Sequence, residues 1–328
     1  MIVRHKLKVY ATIKRCFQLE MVIVNMNNSE TFKILTLDGG GTRGIYSAQL
    51  LALVERELGV PIKDCFDLIA GTSTGAIIAG AIASGISMDE IVSLFETESP
   101  DIFKKKWYRN LLFSSKYSEH VFAQVIAKHI PAKPLSEIST PLIITSSEIT
   151  TSERYLFRTN YVKTLSDSEY TDGDVCIRDA VVASCSAPTF FSPKSINNLL
   201  FADGGLWANN PSIAAYTEAL TVFGKDVSEV KILSVGTGHA PNMYRKKRRW
   251  GFLIGWGGPK LVSFVMMLQA QASAKMVKQL LKDNYMRICP SIDFWDIDSA
   301  KPLKKLKSMA GRDYDDLAAE IKVFLNIQ

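Results

Sequence analysis

From Phe32 to Leu37 the chain reads FKILTL, mostly apolar, and then breaks at three glycines. A short apolar run closed by glycine predicts a buried strand. The next stretch, RGIYSAQLLALVERELG, repeats its apolar residues at helical spacing and stops at Gly59, which predicts a helix with a glycine end. The alternation then recurs. FDLIAG reads as a second short strand and TGAIIAGAIASG as a helix of small and branched residues. SMDEIVSLFETES opens a further helix, with Ser87 as N-cap and Glu90 three residues on, the capping-box pattern. SEHVFAQVIAKHI is a polar–apolar helical stretch. PLIITSSEIT and RYLFRT read as adjacent strands, and CIRDAVVASCSAP as a helix that stops before Pro188. NLLFADGG is a strand ending in Asp-Gly-Gly. NPSIAAYTEALTVFG is a helix with Pro211 near its first turn, and VKILSVGTG is another buried strand. A long helix from Pro259, a strand-like YMRICP and an amphipathic helix from Tyr314 to Phe324 complete the pattern.

Buried strands that alternate with helices form βαβ units. The expected fold is α/β, in three layers: a mostly parallel central sheet with helices on both faces. Neither an internal repeat nor a low-complexity linker interrupts it, so residues 31–328 are expected to form one domain. Residues 1–30 read as a tail or a start-site extension, with Met21 and Met26 as alternative starts. The 21 uncharged residues between Asp67 and Asp89 have the length of a membrane span. Their glycines, serines and threonines fit a strand, a tight turn and a core helix better.

Composition changes this picture little. The chain has 328 residues, is 47% apolar and carries a formal charge of +6. Residues 1–25 hold five of the basic residues against one acid, so the remainder is near balance and local clusters must carry any argument about partners. The five cysteines form no CxxC pair and are expected as reduced thiols. The basic N-terminus lacks an apolar core followed by a small-residue cleavage site, which predicts a cytoplasmic protein.

Three glycine-rich loops fall at predicted strand ends, where sites form in open α/β sheets. The first, DGGGTRG, places Gly39, Gly41 and Gly44 between a strand and a helix, a backbone suited to an oxyanion or a phosphate. The second, GTSTG, sets Ser73 between Gly71 and Gly75 in the strand–turn–helix context of a nucleophile elbow. The N–H of Thr74, next in the chain, is placed to help hold an oxyanion. The third is Asp203 with Gly204 and Gly205. A serine hydroxyl needs a base. The chain has four histidines: His5 in the basic tail, His120 and His129 in a helical stretch, and His239 at a strand end as the one candidate. A carboxylate with a tuned pKa serves equally well. The strand-end position of Asp203 favours a Ser73–Asp203 dyad over a histidine triad.

The ordered set DGGGTRG, GTSTG, ASCSAPTFF and DGG, spanning about residues 32–240, resembles the patatin-like phospholipase family. The resemblance implies the patatin-like fold and a lipid acyl hydrolase that cleaves carboxylic esters of phospholipids. It implies Ser73 as nucleophile, Asp203 as base, and an oxyanion hole from Gly39, Gly40 and Gly41 with help from Arg43. Gly44, Gly71, Gly75, Gly204 and Gly205 belong to its motifs, and Ser184 and Ser186 are then structural. It implies neither cofactor nor metal. Short patatin-like proteins in bacteria serve as anti-phage effectors switched on by cyclic oligonucleotides, which makes such a nucleotide an expected activator here. A homo-oligomer is compatible with it.

Two stretches mix bases with aromatics, FKKKWYRNLLF (103–113) and YRKKRRWGFLIGWGG (244–258). They suit a membrane surface with anionic headgroups, and so predict peripheral association with the inner membrane. Neither carries a nucleic-acid-binding pattern, and no polymeric nucleic acid partner is expected. A rival reading pairs LTLDGGGT with LFADGG as the two phosphate loops of an actin-like ATPase or kinase. Asp38 and Asp203 would then organise a metal and a nucleotide, and GTSTG and ASCSAP would be left without a role.

Overall fold

The computed structural model describes residues 31–103, 115–162, 174–241, 243–251, 255–293 and 298–326. The N-terminal tail and most of the 103–113 stretch lie outside the described residues.

Strands β1 (Phe32–Leu37), β2 (Leu68–Thr72), β3 (Leu142–Glu148), β4 (Glu153–Arg158), β5 (Lys194–Ile196), β6 (Leu199–Asp203), β7 (Val230–Val235) and β8 (Tyr285–Ile288) form one sheet. The order β3-β2-β1-β7-β8 is parallel throughout. The other pairings, β4 and β6 with β3 and β5 with β6, are antiparallel. The sheet is therefore parallel in its core and mixed at one side. The three-residue β5 is too short to leave a pattern in the sequence.

The helices are α1 (Gly44–Leu58), α2 (Thr74–Ala83), α3 (Met88–Ile102), α4 (Glu119–His129), α5 (Ile177–Ser184), α6 (Gly205–Ala208), α7 (Ser212–Thr221), α8 (Pro259–Leu281) and α9 (Leu303–Leu325). The capping box forms as expected: the Ser87 N–H donates to Glu90 Oε2 at 3.3 Å, and the Glu90 N–H to Ser87 Oγ at 3.4 Å. The C-terminal helix differs from expectation. It begins at Leu303, before the Tyr314 start read from the amphipathic pattern, because Leu306 and Ala310 are buried despite the basic residues around them.

Alternation along the strands divides the core in two. Leu35, Leu37, Ile69, Ile144 and Val235 face the layer that holds α1 to α5 and α9. Ile34, Leu68, Ala70, Ile143 and Ile232 face α7 and α8. The uncharged stretch after Asp67 is β2 and α2, and all ten residues of α2 are buried inside the protein.

The register of β3 does the most to place the site. One edge of β3 pairs with β4 along residues 143–148. Its other edge is shared end to end: β2 pairs up to Thr72 opposite Thr145, and β6 pairs down to Asp203 opposite Ser146. The two strands run toward each other and stop at consecutive positions of β3. Ser73, just past β2, and Asp203, the last residue of β6, are brought together by that head-on meeting.

Candidate active site

Ser73 caps α2 with φ 54° and ψ −123°, a backbone conformation rare for any residue but glycine. The turn is possible only because the chain packs without side chains on either side of it. A Cβ on Gly75 would lie 2.2 Å from the carbonyl oxygen of Leu37, so α2 approaches β1 to backbone contact. Ser73 is thereby lifted off the sheet onto the wall of a cleft. The positive end of the α2 dipole points at the same place.

The segment ASCSAP holds both partners. Ser184 Oγ accepts the Ser73 N–H at 2.8 Å. The Ser186 carbonyl accepts the Asp203 N–H at 3.0 Å, while Ser186 Oγ donates to Val182 O. Both serines are thus engaged with backbone groups. The residue between them, Cys185, is buried beside Ser73; burial and the neighbouring Asp203 push its thiol well above the ordinary range.

Asp203 is fully buried. Its Oδ1 accepts the Gly205 N–H at 2.7 Å. Its Oδ2 is buried and meets no hydrogen-bond partner among the described residues. Burial raises the carboxyl from 3.8 to about 7, against opposing pulls from the Gly205 N–H and the Ser73 hydroxyl. The hydroxyl therefore faces the carboxylate without a formed hydrogen bond, a spacing common before substrate binds. A carboxyl poised near neutrality is suited to take a proton at physiological pH.

The backbone N–H groups of the glycine loop are engaged unevenly. The Gly39 N–H donates to the Asn209 carbonyl at 3.0 Å. Among the described residues the N–H groups of Gly40 and Gly41 have no acceptor. Their peptide planes are fixed from behind. Thr237 Oγ1 donates to the Gly39 carbonyl at 2.8 Å, which orients the Gly40 N–H on the far side of the same trans peptide. Arg43 Nε donates to the Gly40 carbonyl at 3.2 Å and orients the Gly41 N–H likewise. Arg43, buried and lowered to about 10 by that burial, acts by holding the peptide. The Thr74 N–H opens α2 and has no intrahelical acceptor.

Sequence reasoning missed Thr237, Asn209 and Cys185. Thr237 lies in SVGTG, a fourth glycine-containing strand end, where attention falls on His239 instead. His239 is tied by its backbone to Pro290 and Ile292, and no described histidine lines the cleft. Removing only the Thr237 hydroxyl tests its role. Thr237→Val should lower kcat about tenfold with KM within about twofold, and Thr237→Ser should restore it.

The cleft encloses about 780 Å³, including its open mouth. Its wall is mainly apolar, with Ile77, Leu94, Phe95, Phe122, Phe190 and Met266 prominent. Ser73, Asp203 and the glycine loop lie together on that wall. Three of the buried polar atoms without partners, Thr74 Oγ1, Asp203 Oδ2 and Asn209 Oδ1, belong to residues lining it. Unmet polar atoms in an apolar cleft mark a place built for a ligand with one polar group and a long apolar part.

Asp38, by contrast, turns away. Arg287 Nη1 donates to its Oδ1 at 2.8 Å and Arg287 Nη2 bonds its Oδ2; Asp38 is buried and Arg287 mostly covered. A carboxylate held bidentately by a guanidinium is not offered to a metal, which removes the basis of the phosphate-loop reading.

The patatin-like phospholipase family model matches residues 35–216. A cGAMP-activated phospholipase of Escherichia coli (strain TW11681) is 32% identical over 77% of this chain and 78% of that protein. A cUMP-AMP-activated phospholipase of Escherichia coli is 31% identical over 70% of this chain and 73% of that protein. Among solved structures, VipD from Legionella pneumophila aligns over 90% of this chain and 67% of that chain at 14% identity, with a TM-score of 0.49.

Proposed function

Because the chain belongs to the patatin-like phospholipase family and is a serine-dependent lipid acyl hydrolase, we propose that Ser73 and Asp203 perform its chemistry. The observation that carries this reading is Ser73 at positive φ beside a buried carboxyl poised near 7. Ser73 Oγ attacks the ester carbonyl carbon as its proton passes to Asp203 Oδ2. The N–H groups of Gly40, Gly41 and Thr74 receive the oxyanion, each donor being worth a few kcal/mol in the transition state. Collapse expels the lysolipid or alcohol, which takes the proton from Asp203. Water then attacks the acyl-enzyme with Asp203 again as base, and the fatty acid leaves. The apolar wall holds the acyl chain and leaves the developing oxyanion to the fixed N–H donors rather than to solvent.

The finer reading is regulatory. Two relatives are named for activation by cyclic dinucleotides. We infer that a cyclic oligonucleotide activates this chain as well, in anti-phage defence. We place its action in the bacterial cytoplasm, at the inner face of the inner membrane. No described helix is long and apolar enough to cross a membrane. The motif loops and the sheet that joins them support residues 31–328 as one catalytic domain. Release of fatty acid from phospholipid vesicles, measured with and without cGAMP and cUMP-AMP, tests both levels. The expected result is a rise of at least about tenfold with one nucleotide. Equal hydrolysis with and without both would remove the activation and leave the hydrolase. No hydrolysis of any ester would remove both.

A further inference from the structure

Large apolar side chains exposed on the described surface are concentrated around α8. Val265 and Leu268 project from it at 44% and 57% exposure. Trp250 and Trp256, in the loop just before it, are 41% and 36% exposed. Leu206, on the neighbouring α6, is 38% exposed. The tryptophans are not loose: their rings lie 5.3 Å apart, and Tyr244 packs edge-on against Trp256 at 5.5 Å and against Phe264 of α8 at 5.2 Å. The aromatic cluster is therefore packed onto the start of the helix through Phe264.

The opposite side of the same helical turns faces the cleft. Ser263, Met266 and Met267 line it, and a Cβ on Gly205 would touch Met266. The exposed apolar patch thus sits at the rim of the cleft, with one helix forming both.

Charge identifies the occupant. From Tyr244 to Leu281 the chain has eight Lys and Arg residues and no Asp or Glu. Arg245, Lys246, Lys247, Arg248 and Arg249 are exposed in sequence. A second copy of the chain on this face would set cations against cations, at a cost in self-association. An anionic bilayer meets both needs, because tryptophans settle at the headgroup level and cations lie against the phosphates.

We propose that α8, with residues 244–251 and Trp256 before it, docks the protein on an anionic phospholipid surface, with the cleft rim against the bilayer, so that a lipid enters the site without crossing water. The proposal deepens the hydrolase reading by naming the surface through which its substrate arrives. Binding does not depend on catalysis, so the two fail separately.

The test uses the full chain carrying Ser73→Ala, which leaves lipid intact, in flotation with vesicles of phosphatidylcholine alone or with about one third phosphatidylglycerol. Binding to the anionic vesicles is expected. Trp250→Ala/Trp256→Ala should weaken it at least about tenfold, and glutamine at positions 245–249 about a hundredfold, a loss that added salt should reproduce. With Ser73 restored, both variants should hydrolyse a soluble short-chain ester at the wild-type rate, which also shows that they fold. Vesicle hydrolysis should fall with binding. Equal flotation of variants and parent, or equal binding to neutral vesicles, would overturn the proposal. So would a stable dimer that the tryptophan substitutions dissolve, which would make the face an interface between copies.

Discussion

Asp203→Asn should cost at least about 10³-fold in ester hydrolysis and yet yield a more stable protein above neutral pH. The two effects have one cause. Asn keeps the acceptor for the Gly205 N–H but cannot take the Ser73 proton. It also removes an ionisable group from a fully buried place. Raising the carboxyl from 3.8 to about 7 costs its ionised form about 4 kcal/mol. The sign follows from proton binding. Between pH 3.8 and about 7 the folded state holds a proton that the unfolded state has released. Wild-type stability therefore falls as pH rises through that window and stays lower above it. Denaturant melts at pH 8 should place the variant about 2–4 kcal/mol above wild type, with the gap closing toward pH 4. Wild-type kcat/KM should in turn rise with pH through about 7 as the base ionises. A variant no more stable at pH 8 than at pH 4, relative to wild type, would deny the burial cost.

Arg287→Met should destabilise the fold by about 3–5 kcal/mol at neutral pH, one of the larger losses available in the molecule. Arg287 is mostly covered beside Asp38, which sustains its charge against the desolvation that opposes it. Asp38 is pulled up by burial and down by Arg287. Without the guanidinium the buried carboxylate keeps only the lesser support of Arg43 and Asn210. The deficit should shrink at lower pH, where Asp38 takes a proton and the charge disappears. Asp38→Asn/Arg287→Met should recover part of the stability, since it removes the buried carboxylate that lost its main partner, while Arg43 loses the support of Asp38. Urea midpoints at pH 5 and pH 8 for the three proteins decide it. A double variant as unstable as Arg287→Met would show that Arg287 contributes by packing instead.

These two residues also show what could be read without a structure. The glycine loops, the strand ends and Ser73 are local features. Each needs a particular backbone, and the sequence must supply glycine within a residue or two of where it is needed. Asp203 could be found because it shares that signature. Arg287 could not. It reaches Asp38 across 249 positions of chain, from a strand whose pattern announces only that it is a strand. Thr237 was hidden for the same reason, since its hydroxyl matters only because β7 lies beside β1. The Gly39 N–H looked available in DGGGTRG because nothing local to the loop shows that Asn209 has taken it. The pairing of β2 and β6 end to end on β3, which brings Ser73 and Asp203 together, is likewise a property of register. Alternating apolar runs gave the α/β class and left that register open.

The most direct measurement is covalent. A fluorophosphonate traps a serine that is nucleophilic and flanked by an oxyanion hole. Purified protein should be incubated with such a probe, alone and with cyclic dinucleotides, digested and mapped by mass spectrometry beside Ser73→Ala and Asp203→Asn. The account predicts one adduct, on Ser73, absent from Ser73→Ala and formed at least about a hundredfold more slowly in Asp203→Asn. An adduct on another residue, or labelling of Ser73 at an equal rate without the Asp203 carboxylate, would contradict it.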